Sequence, residues 1–313
     1  MRIIFMGTPD FAVPSLHSLV DNGYEVVAAV SQPDRPKGRK KVLTPTPVKE
    51  AALSRGIPVL QPQRMRSPEA VAELAAFEPD LIVTAAYGQI LPKAVLELPR
   101  LGCINVHGSL LPQYRGGAPI QRAIINGETV TGVTIMYMAE GLDTGDMISR
   151  AEVPIGEDDT SGTMFEKLSK AGAELLLETL PSIVNGTVKA VPQDDAEATY
   201  APNLTRDDER IDWTRSAREL YNQVRGLVPM AGAFTYLNGD VLKVWDCRAL
   251  DKQSALAPGT VAEVSASSLL VQTGAGILEL LQVQPAGKKA MPVSEWLKGT
   301  RLEPGIVLGG GDQ

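Results

Sequence analysis

The sequence predicts an α/β protein with a doubly wound, mostly parallel sheet, followed by a small C-terminal β-barrel of the oligonucleotide-binding type. Three observations carry that expectation. Short apolar runs alternate with amphipathic helical segments up to Val184. That alternation stops near Asn185, and beyond it short strands and tight turns dominate. With 313 residues and 44% hydrophobic content, the chain is long enough for two cores, since a domain usually takes about 100–200 residues.

In chain order, Arg2–Met6 and Glu25–Val30 are β-rich runs on either side of a helical segment, Pro14–Leu19, closed by Asn22-Gly23. Further strands are expected at Pro58–Leu60, Leu81–Ala85, Leu101–Val106, Val130–Met138 and Met147–Val153. Helices are expected at Val48–Arg55, Pro68–Phe77, Pro119–Asn126 and Ser161–Val184, the last with apolar residues at 164, 168, 171 and 175 on one face. From Gly186 to Asp208 charged and turn residues follow without periodicity, as in a linker. A helix at Ser216–Leu227 then precedes strands at Ala233–Leu237, Val241–Ala249, Thr260–Val264, Leu269–Thr273 and Ile277–Val283, with Asn238-Gly239 as a hairpin signal. The expected division is a first domain over 1–188, a linker over 189–207 and a second domain over 208–313.

Composition narrows the classes. The apolar run at Arg2–Met6 is cut off by Gly7 and Pro9, too short for a signal peptide core, and no apolar stretch reaches membrane-span length. A cytoplasmic, monomeric protein is expected. Cys103 and Cys247 are the only cysteines, in unrelated contexts, which argues against a disulfide framework; with two histidines there is no zinc cluster and no metal is expected. A net charge of −7 disfavours indiscriminate nucleic-acid binding, so RNA contact has to come from a local patch.

One such patch is Asp34-Arg35-Pro36-Lys37-Gly38-Arg39-Lys40-Lys41, five basic residues against one acid on an otherwise acidic chain. Placed after the second strand, on the crevice side of the sheet, it would form a directed site for phosphates rather than a merely solvated loop. Gly7-Thr8-Pro9-Asp10-Phe11 follows the first strand but lacks the bare glycines of a dinucleotide loop, which disfavours nicotinamide binding.

The chemistry is expected in Gly102-Cys103-Ile104-Asn105-Val106-His107-Gly108-Ser109-Leu110-Leu111-Pro112. Asn105 and His107 are two apart, so on an extended strand an amide donor and an imidazole point the same way at the strand end and can grip one reacting carbonyl. His17, the other histidine, lies in the first helix and reads as structural.

Asn105-Val106-His107-Gly108-Ser109-Leu110-Leu111-Pro112, Tyr114-Arg115-Gly116-Gly117-Ala118-Pro119-Ile120-Gln121 and Gly141-Leu142-Asp143-Thr144-Gly145 resemble the signature of the formyltransferases that use 10-formyltetrahydrofolate. Gly7–Ala12, Gln32–Pro36, Ala85–Pro92, Arg210–Trp213 and Gln284–Met291 extend the resemblance over both expected domains. It implies a Rossmann-like catalytic domain with Asn105, His107 and Asp143 as the catalytic set, and 10-formyltetrahydrofolate as co-substrate. Ser109, Leu110, Leu111 and Pro112 would line the folate site. Tyr87, Gly88, Gln89, Ile90 and Leu91, with Met138–Leu142, would supply backbone around the pterin. The resemblance also implies that the acceptor is the α-amine of methionyl initiator tRNA, whose acceptor end meets the basic loop (Arg35, Lys37, Arg39, Lys40, Lys41), while the C-terminal barrel helps hold the tRNA. Lys288 and Lys289 in that barrel either touch RNA or keep its surface soluble.

Such a reaction passes through a tetrahedral oxyanion, for which the Asn105 amide and a protonated His107 are suitable donors, with Asp143 orienting and charge-stabilising His107. The nucleophile is the substrate's own amine, so no serine or cysteine nucleophile is needed. The same three residues would serve a formyltransferase acting on a sugar-nucleotide or glycinamide ribonucleotide amine, or a 10-formyltetrahydrofolate hydrolase. A non-catalytic RNA-binding protein fits the acidic balance and the polar triad poorly.

Overall fold

A computed structural model describes residues 1–38 and 40–310. The chain divides into two compact units. Unit 1 comprises Met1–Pro119, Val130–Pro154 and Phe165–Ala201; unit 2 comprises Ile120–Thr129, Ile155–Met164 and the described chain from Pro202 onward. Much of the segment read as a linker is tied into unit 1, where Val191 bridges Met147 and Tyr200 bridges Arg115.

The strands of unit 1 are β1 (Arg2–Gly7), β2 (Glu25–Val30), β3 (Arg35–Lys37), β4 (Val42–Thr44), β5 (Val59–Leu60), β6 (Leu81–Ala85), β7 (Cys103–His107), β8 (Val130–Tyr137) and β9 (Met147–Pro154). Seven of them form one sheet in the order β5-β2-β1-β6-β7-β8-β9. The first five in that order run parallel, and β8 and β9 run antiparallel to their neighbours. β1 leads to β2 on one side, while β6 joins β1 on the other. Ligand crevices in open α/β sheets form at the strand C-termini beside such a reversal. β1 is a continuous apolar run with Ile3, Ile4, Phe5 and Met6 fully buried, as a central parallel strand requires.

The helices up to Val184 are α1 (Val13–Asp21), α2 (Pro47–Ser54), α3 (Pro68–Ala75), α4 (Lys93–Leu96), α5 (Pro119–Ile125) and α6 (Ser161–Val184), of which α5 after Pro119 and the first turn of α6 belong to unit 2. Proline in the first turn and an N-capping hydroxyl start both α2 and α3: Thr46 accepts from the Lys49 N–H and Ser67 from that of Ala70. The basic stretch read as a loop begins with one strand of a short hairpin, β3 paired with β4 beyond it, Arg35 opposite Thr44 and Lys37 opposite Val42. Its strands of three residues, with Pro36 in one, carry no period-two apolar pattern, so sequence gave no strand signal there.

One face of the sheet changes character along its strands. Ile4, Met6, Ile82 and Cys103 join Met65, Leu74, Tyr87 and Val95 in a buried apolar cluster. Because Ile82 pairs with Cys103 and Thr84 with Asn105, the same face turns polar one step further toward the strand C-termini.

Unit 2 is built on an antiparallel sheet of β10 (Ala233–Leu237), β11 (Asp240–Leu250), β12 (Val261–Val264), β13 (Leu269–Gln272), β14 (Ile277–Pro285) and β15 (Met291–Pro292). Its order is β10-β11-β14-β13-β12, with β15 beside β14. The β10–β11 turn is made by Asn238 and Gly239, both at positive φ (52° and 85°), as a two-residue hairpin requires. Helices α7 (Arg206–Glu209), α8 (Ala217–Leu227) and α9 (Val293–Trp296) complete it. Leu220, Val224 and Leu227 of α8 enter a core with Trp213, Val244, Leu280 and Trp296. Among the described residues, no helix is long and apolar enough to cross a membrane.

Candidate active site

β7 ends on His107 and carries Asn105 two residues before it, so both side chains lie on the polar part of that sheet face. His107 is only 6% exposed. The buried Thr84 of β6 donates its hydroxyl toward Asn105 Oδ1 at 2.8 Å, with Ile104 O at 3.1 Å as a competing acceptor. Engaging the amide oxygen leaves Asn105 Nδ2 as the group that can donate to a ligand.

His107 Nε2 lies 3.1 Å from the Tyr114 carbonyl oxygen. A carbonyl only accepts, so Nε2 carries a proton and any second ring proton resides on Nδ1. Nδ1 faces Asp143 Oδ2 at 3.7 Å, an ion-pair rather than a hydrogen-bond distance. The same Oδ2 accepts the Gly116 N–H at 2.9 Å. Asp143 stands in a turn that follows β8 and folds back. Its own φ is +50°, and a Cβ on Gly145 would collide with the Tyr137 carbonyl oxygen. Only glycine permits that return, which explains the residue at 145.

The loop from Ser109 to Gly116 is pinned at several points. Ser109 donates its hydroxyl to the Gln113 carbonyl (2.7 Å), and Thr134 of β8 donates to the Ser109 carbonyl (2.7 Å) while accepting from the Leu111 N–H (3.1 Å). Leu111 and Pro112 are buried and Leu110 is partly buried. Residues from the former linker hold the far end: the Tyr114 N–H donates to Thr199 Oγ1 at 2.8 Å, and the Arg115 N–H to Thr199 O at 2.9 Å. A Cβ on Gly116, at φ 122°, would stand 2.7 Å from the Ala201 carbonyl oxygen.

The second expected folate segment also starts as structure. The Tyr87 ring is buried in the apolar cluster, which pushes its hydroxyl up to about 12, while its carbonyl accepts from Thr8 Oγ1 at 2.8 Å. Gly88 is exposed at φ 93°. Gln89 braces the loop, accepting from the Met65 N–H at 2.8 Å and donating to the Pro62 carbonyl at 3.1 Å. Leu91 is buried, whereas Ile90 is 85% exposed and Leu142, next to Asp143, is 61% exposed.

Arg35 and Lys37 lie on β3, with Lys40 and Lys41 beyond them, all four exposed; Arg39 lies outside the described residues. Asp34, the lone acid of this stretch, is held below the usual carboxylate range by hydrogen bonds from Lys49 and Gln61, each at 2.6 Å. The four described cations are therefore not neutralised by it. Lys288 and Lys289 are exposed in unit 2, after β14. Cys103, raised to about 12 by burial, and Cys247, raised further, are inert thiols. Among the described residues no group of three His, Cys, Asp or Glu side chains is placed to hold a metal ion.

Sequence reasoning missed Thr84, Arg115 and Gln193. Thr84 had a signal, a lone hydroxyl in the apolar run Leu81-Ile82-Val83-Thr84-Ala85. Arg115 stood within a quoted motif without a role, although it is 2% exposed and its side chain meets Gln193 Oε1 at 2.9 Å and Asp195 Oδ1 at 2.8 Å. Gln193 had no signal, since its partners are 48 or more residues away.

Residues 1–180 match the family model described as Formyl transferase, and residues 203–301 the one described as Formyl transferase, C-terminal domain. The chain is 56% identical over 313 residues to the methionyl-tRNA formyltransferase of Bacillus licheniformis, covering 100% of this chain and 99% of that one. To the methionyl-tRNA formyltransferase of Bacillus subtilis it is 55% identical over 309 residues, 98% of each chain. Among solved structures, an N-formyltransferase from Helicobacter canadensis in complex with folinic acid and dTDP-3-aminofucose superposes with a TM-score of 0.68 at 18% identity, covering 91% of this chain and 99% of that one. HypX from Aquifex aeolicus in complex with tetrahydrofolic acid gives 0.66 at 18% identity, covering 98% of this chain and 50% of that one. At such identities the likeness is one of fold.

Proposed function

The chain belongs to the formyl transferase family, and on that premise we propose that it passes a formyl group from 10-formyltetrahydrofolate to the α-amine of methionyl initiator tRNA. The observation that carries this reading is identity above 50% to methionyl-tRNA formyltransferases along the whole chain, C-terminal unit included. Fold alone would suit transfer to a sugar amine equally well.

In the proposed reaction the amine nitrogen attacks the formyl carbon and the carbonyl oxygen takes up negative charge. Collapse then breaks the bond to the folate nitrogen, which leaves with a proton. Asn105 Nδ2, freed by the Thr84 contact to Oδ1, donates to the oxyanion. His107, protonated on Nδ1 as well as Nε2, adds positive charge beside it, and Asp143 at 3.7 Å stabilises that imidazolium. Asp143 is also the group through which, by way of water, the attacking amine sheds its proton. Ser109–Pro112, Tyr87–Leu91 and Met138–Leu142 flank the folate. The uncovered side chains of Ile90 and Leu142 suit the flat face of a heteroaromatic ring, whose polar edge is left to backbone groups.

The basic residues Arg35, Lys37, Arg39, Lys40 and Lys41 meet the phosphates of the tRNA acceptor end, and Lys288 and Lys289 add contacts from the second domain. The domains we assign are catalytic over 1–188 and tRNA-assisting over 208–313, with a connecting segment between. The enzyme is read as a cytoplasmic monomer. The test is formyl transfer from 10-formyltetrahydrofolate to methionyl initiator tRNA, read as N-formylmethionine after ester hydrolysis, with a dTDP-amino sugar and water alone as competing acceptors. Formylated methionine is the expected product. Folate turnover with an unformylated tRNA would sink the reading.

A further inference from the structure

We propose that Gln193 is a positioning residue for the reaction: its side-chain amide, aimed by Arg115, holds the turn that presents the Asp143 carboxylate to His107. The inference rests on the proposed function for its kinetic consequence. Its geometry stands by itself.

The turn needs an external support. Gly141 and Leu142 are exposed, and Asp143 adopts φ +50°, a region that few residues with a side chain occupy unless their surroundings impose it. Gln193 supplies that support. Its Nε2 donates to the Asp143 carbonyl at 2.8 Å and to the Gly145 carbonyl at 2.7 Å, spanning the residue whose carboxylate matters. Its Oε1 accepts from Arg115 Nε at 2.9 Å. The orientation of the amide follows from chemistry, because carbonyls only accept and a guanidinium only donates. Both amide protons and the amide oxygen are thereby used.

Arg115 makes the support rigid. Its side chain is 2% exposed and is anchored to Asp195 Oδ1 at 2.8 Å, with a further side-chain hydrogen bond to Tyr200. The adjoining Gly116 N–H donates to Asp143 Oδ2, and the preceding Tyr114 carbonyl accepts from His107 Nε2. Three consecutive residues, Tyr114, Arg115 and Gly116, therefore set the imidazole, the carboxylate and, through Gln193, the backbone that bears the carboxylate. Gln193 reaches the reacting atoms only through Asp143, so its contribution has to vanish when that carboxylate is gone.

The test compares the full-length parent with Gln193→Leu, Gln193→Glu and the combination of each with Asp143→Asn. Steady-state formyl transfer is measured together with hydrogen exchange of the 138–146 backbone amides. Displacing a catalytic group by about an ångström costs up to roughly 10²-fold. We expect kcat to fall about 10- to 10²-fold in both single variants, with KM for the tRNA changed by less than about twofold. Gln193→Glu keeps the size and the Arg115 partner but has no donor for the two carbonyls, so it should be as poor as Gln193→Leu. Exchange over 138–146 should quicken while β1 and α6 keep their protection, which shows that the variants are folded. On the Asp143→Asn background neither change should lower kcat further. Unchanged exchange over 138–146, or a kcat loss that adds fully to that of Asp143→Asn, overturns the proposal. If the parent transfers no formyl group, the proposed function falls instead, and the exchange result alone decides whether Gln193 holds the turn.

Discussion

In unit 1 the polar side chains around His107 are tied across long stretches of chain: Asp143 to Gly116 over 27 residues, Gln193 to Asp143 over 50, Tyr114 to Thr199 over 85. Unit 2 has long-range ties of its own, Arg122 to Asp208 over 86 residues and Arg225 to the Gly156 carbonyl over 69, but its helix caps are local. Thr205 and Asp208 close a capping box at the start of α7, and Ser216 and Glu219 another at the start of α8, each within three residues. A local cap stabilises the helix that contains it and little else. A long-range tie sets the distance between groups from different loops, and that distance is what chemistry reads. Losing a tie around His107 should therefore lower turnover more than stability, and losing a cap in unit 2 should do the reverse.

The largest expected effect is at the centre. His107→Ala should lower kcat for formyl transfer by about 10²–10³, the range for removal of one oxyanion-stabilising group, with KM for tRNA little changed; a variant that kept parental turnover would break the comparison at its root. Thr84→Val should lower kcat about tenfold, since the Asn105 amide loses the contact that aims Nδ2 and each 1.4 kcal/mol is a factor of ten. Thr84→Ser, which keeps the hydroxyl, should stay near the parent, and equal loss in both variants would show that packing rather than aim is at work.

Ser216→Ala should cost about 1 kcal/mol, the usual worth of an N-cap, visible in denaturant unfolding of the full chain and absent from kcat. A turnover defect in that variant would erase the distinction between the two units.

The smallest effect concerns acid. The Arg2 backbone N–H and then the Arg100 guanidinium hold the Asp80 carboxyl below its ordinary value, through contacts of 2.7 Å each. A carboxylate with a depressed folded pKa contributes stability above its unfolded value of 3.8 and loses it as pH falls through the lower folded value. Stability curves of the parent and Asp80→Asn should thus converge only below about pH 4. Convergence at neutral pH would mean that the tie adds nothing.

Much of the scaffold was legible in the chain. β1, β2, β6 and β7 are apolar runs bounded by turn residues, and α2, α3 and α6 carry caps or a helical apolar spacing, signals confined to a few residues. The Asn238-Gly239 turn was legible because only residues that tolerate positive φ serve there. The placement of Asn105 and His107 on one face followed from the period of a strand. The β3–β4 hairpin was not legible, since its three-residue strands pair only with each other and show no alternation. Nor was the fate of the stretch after Gly186, whose polar, aperiodic composition reads as a linker although its residues up to Ala201 belong to unit 1.

By itself the sequence determined most of the longer strands and helices, the reversal from α/β alternation to antiparallel strands, and the scarce residues able to do acid–base work. Local backbone preference and side-chain period act over a few residues, so they leave their mark on the chain directly. Tertiary structure alone decided that Thr84 aims Asn105, that the Tyr114 carbonyl places the ring proton of His107 on Nε2, and that Arg115 and Gln193 brace Asp143. Each of these is a hydrogen bond between groups brought together by sheet order and by loops folding back. Their strength depends on donor–acceptor distances of about 2.7–3.2 Å that no spacing in the sequence encodes.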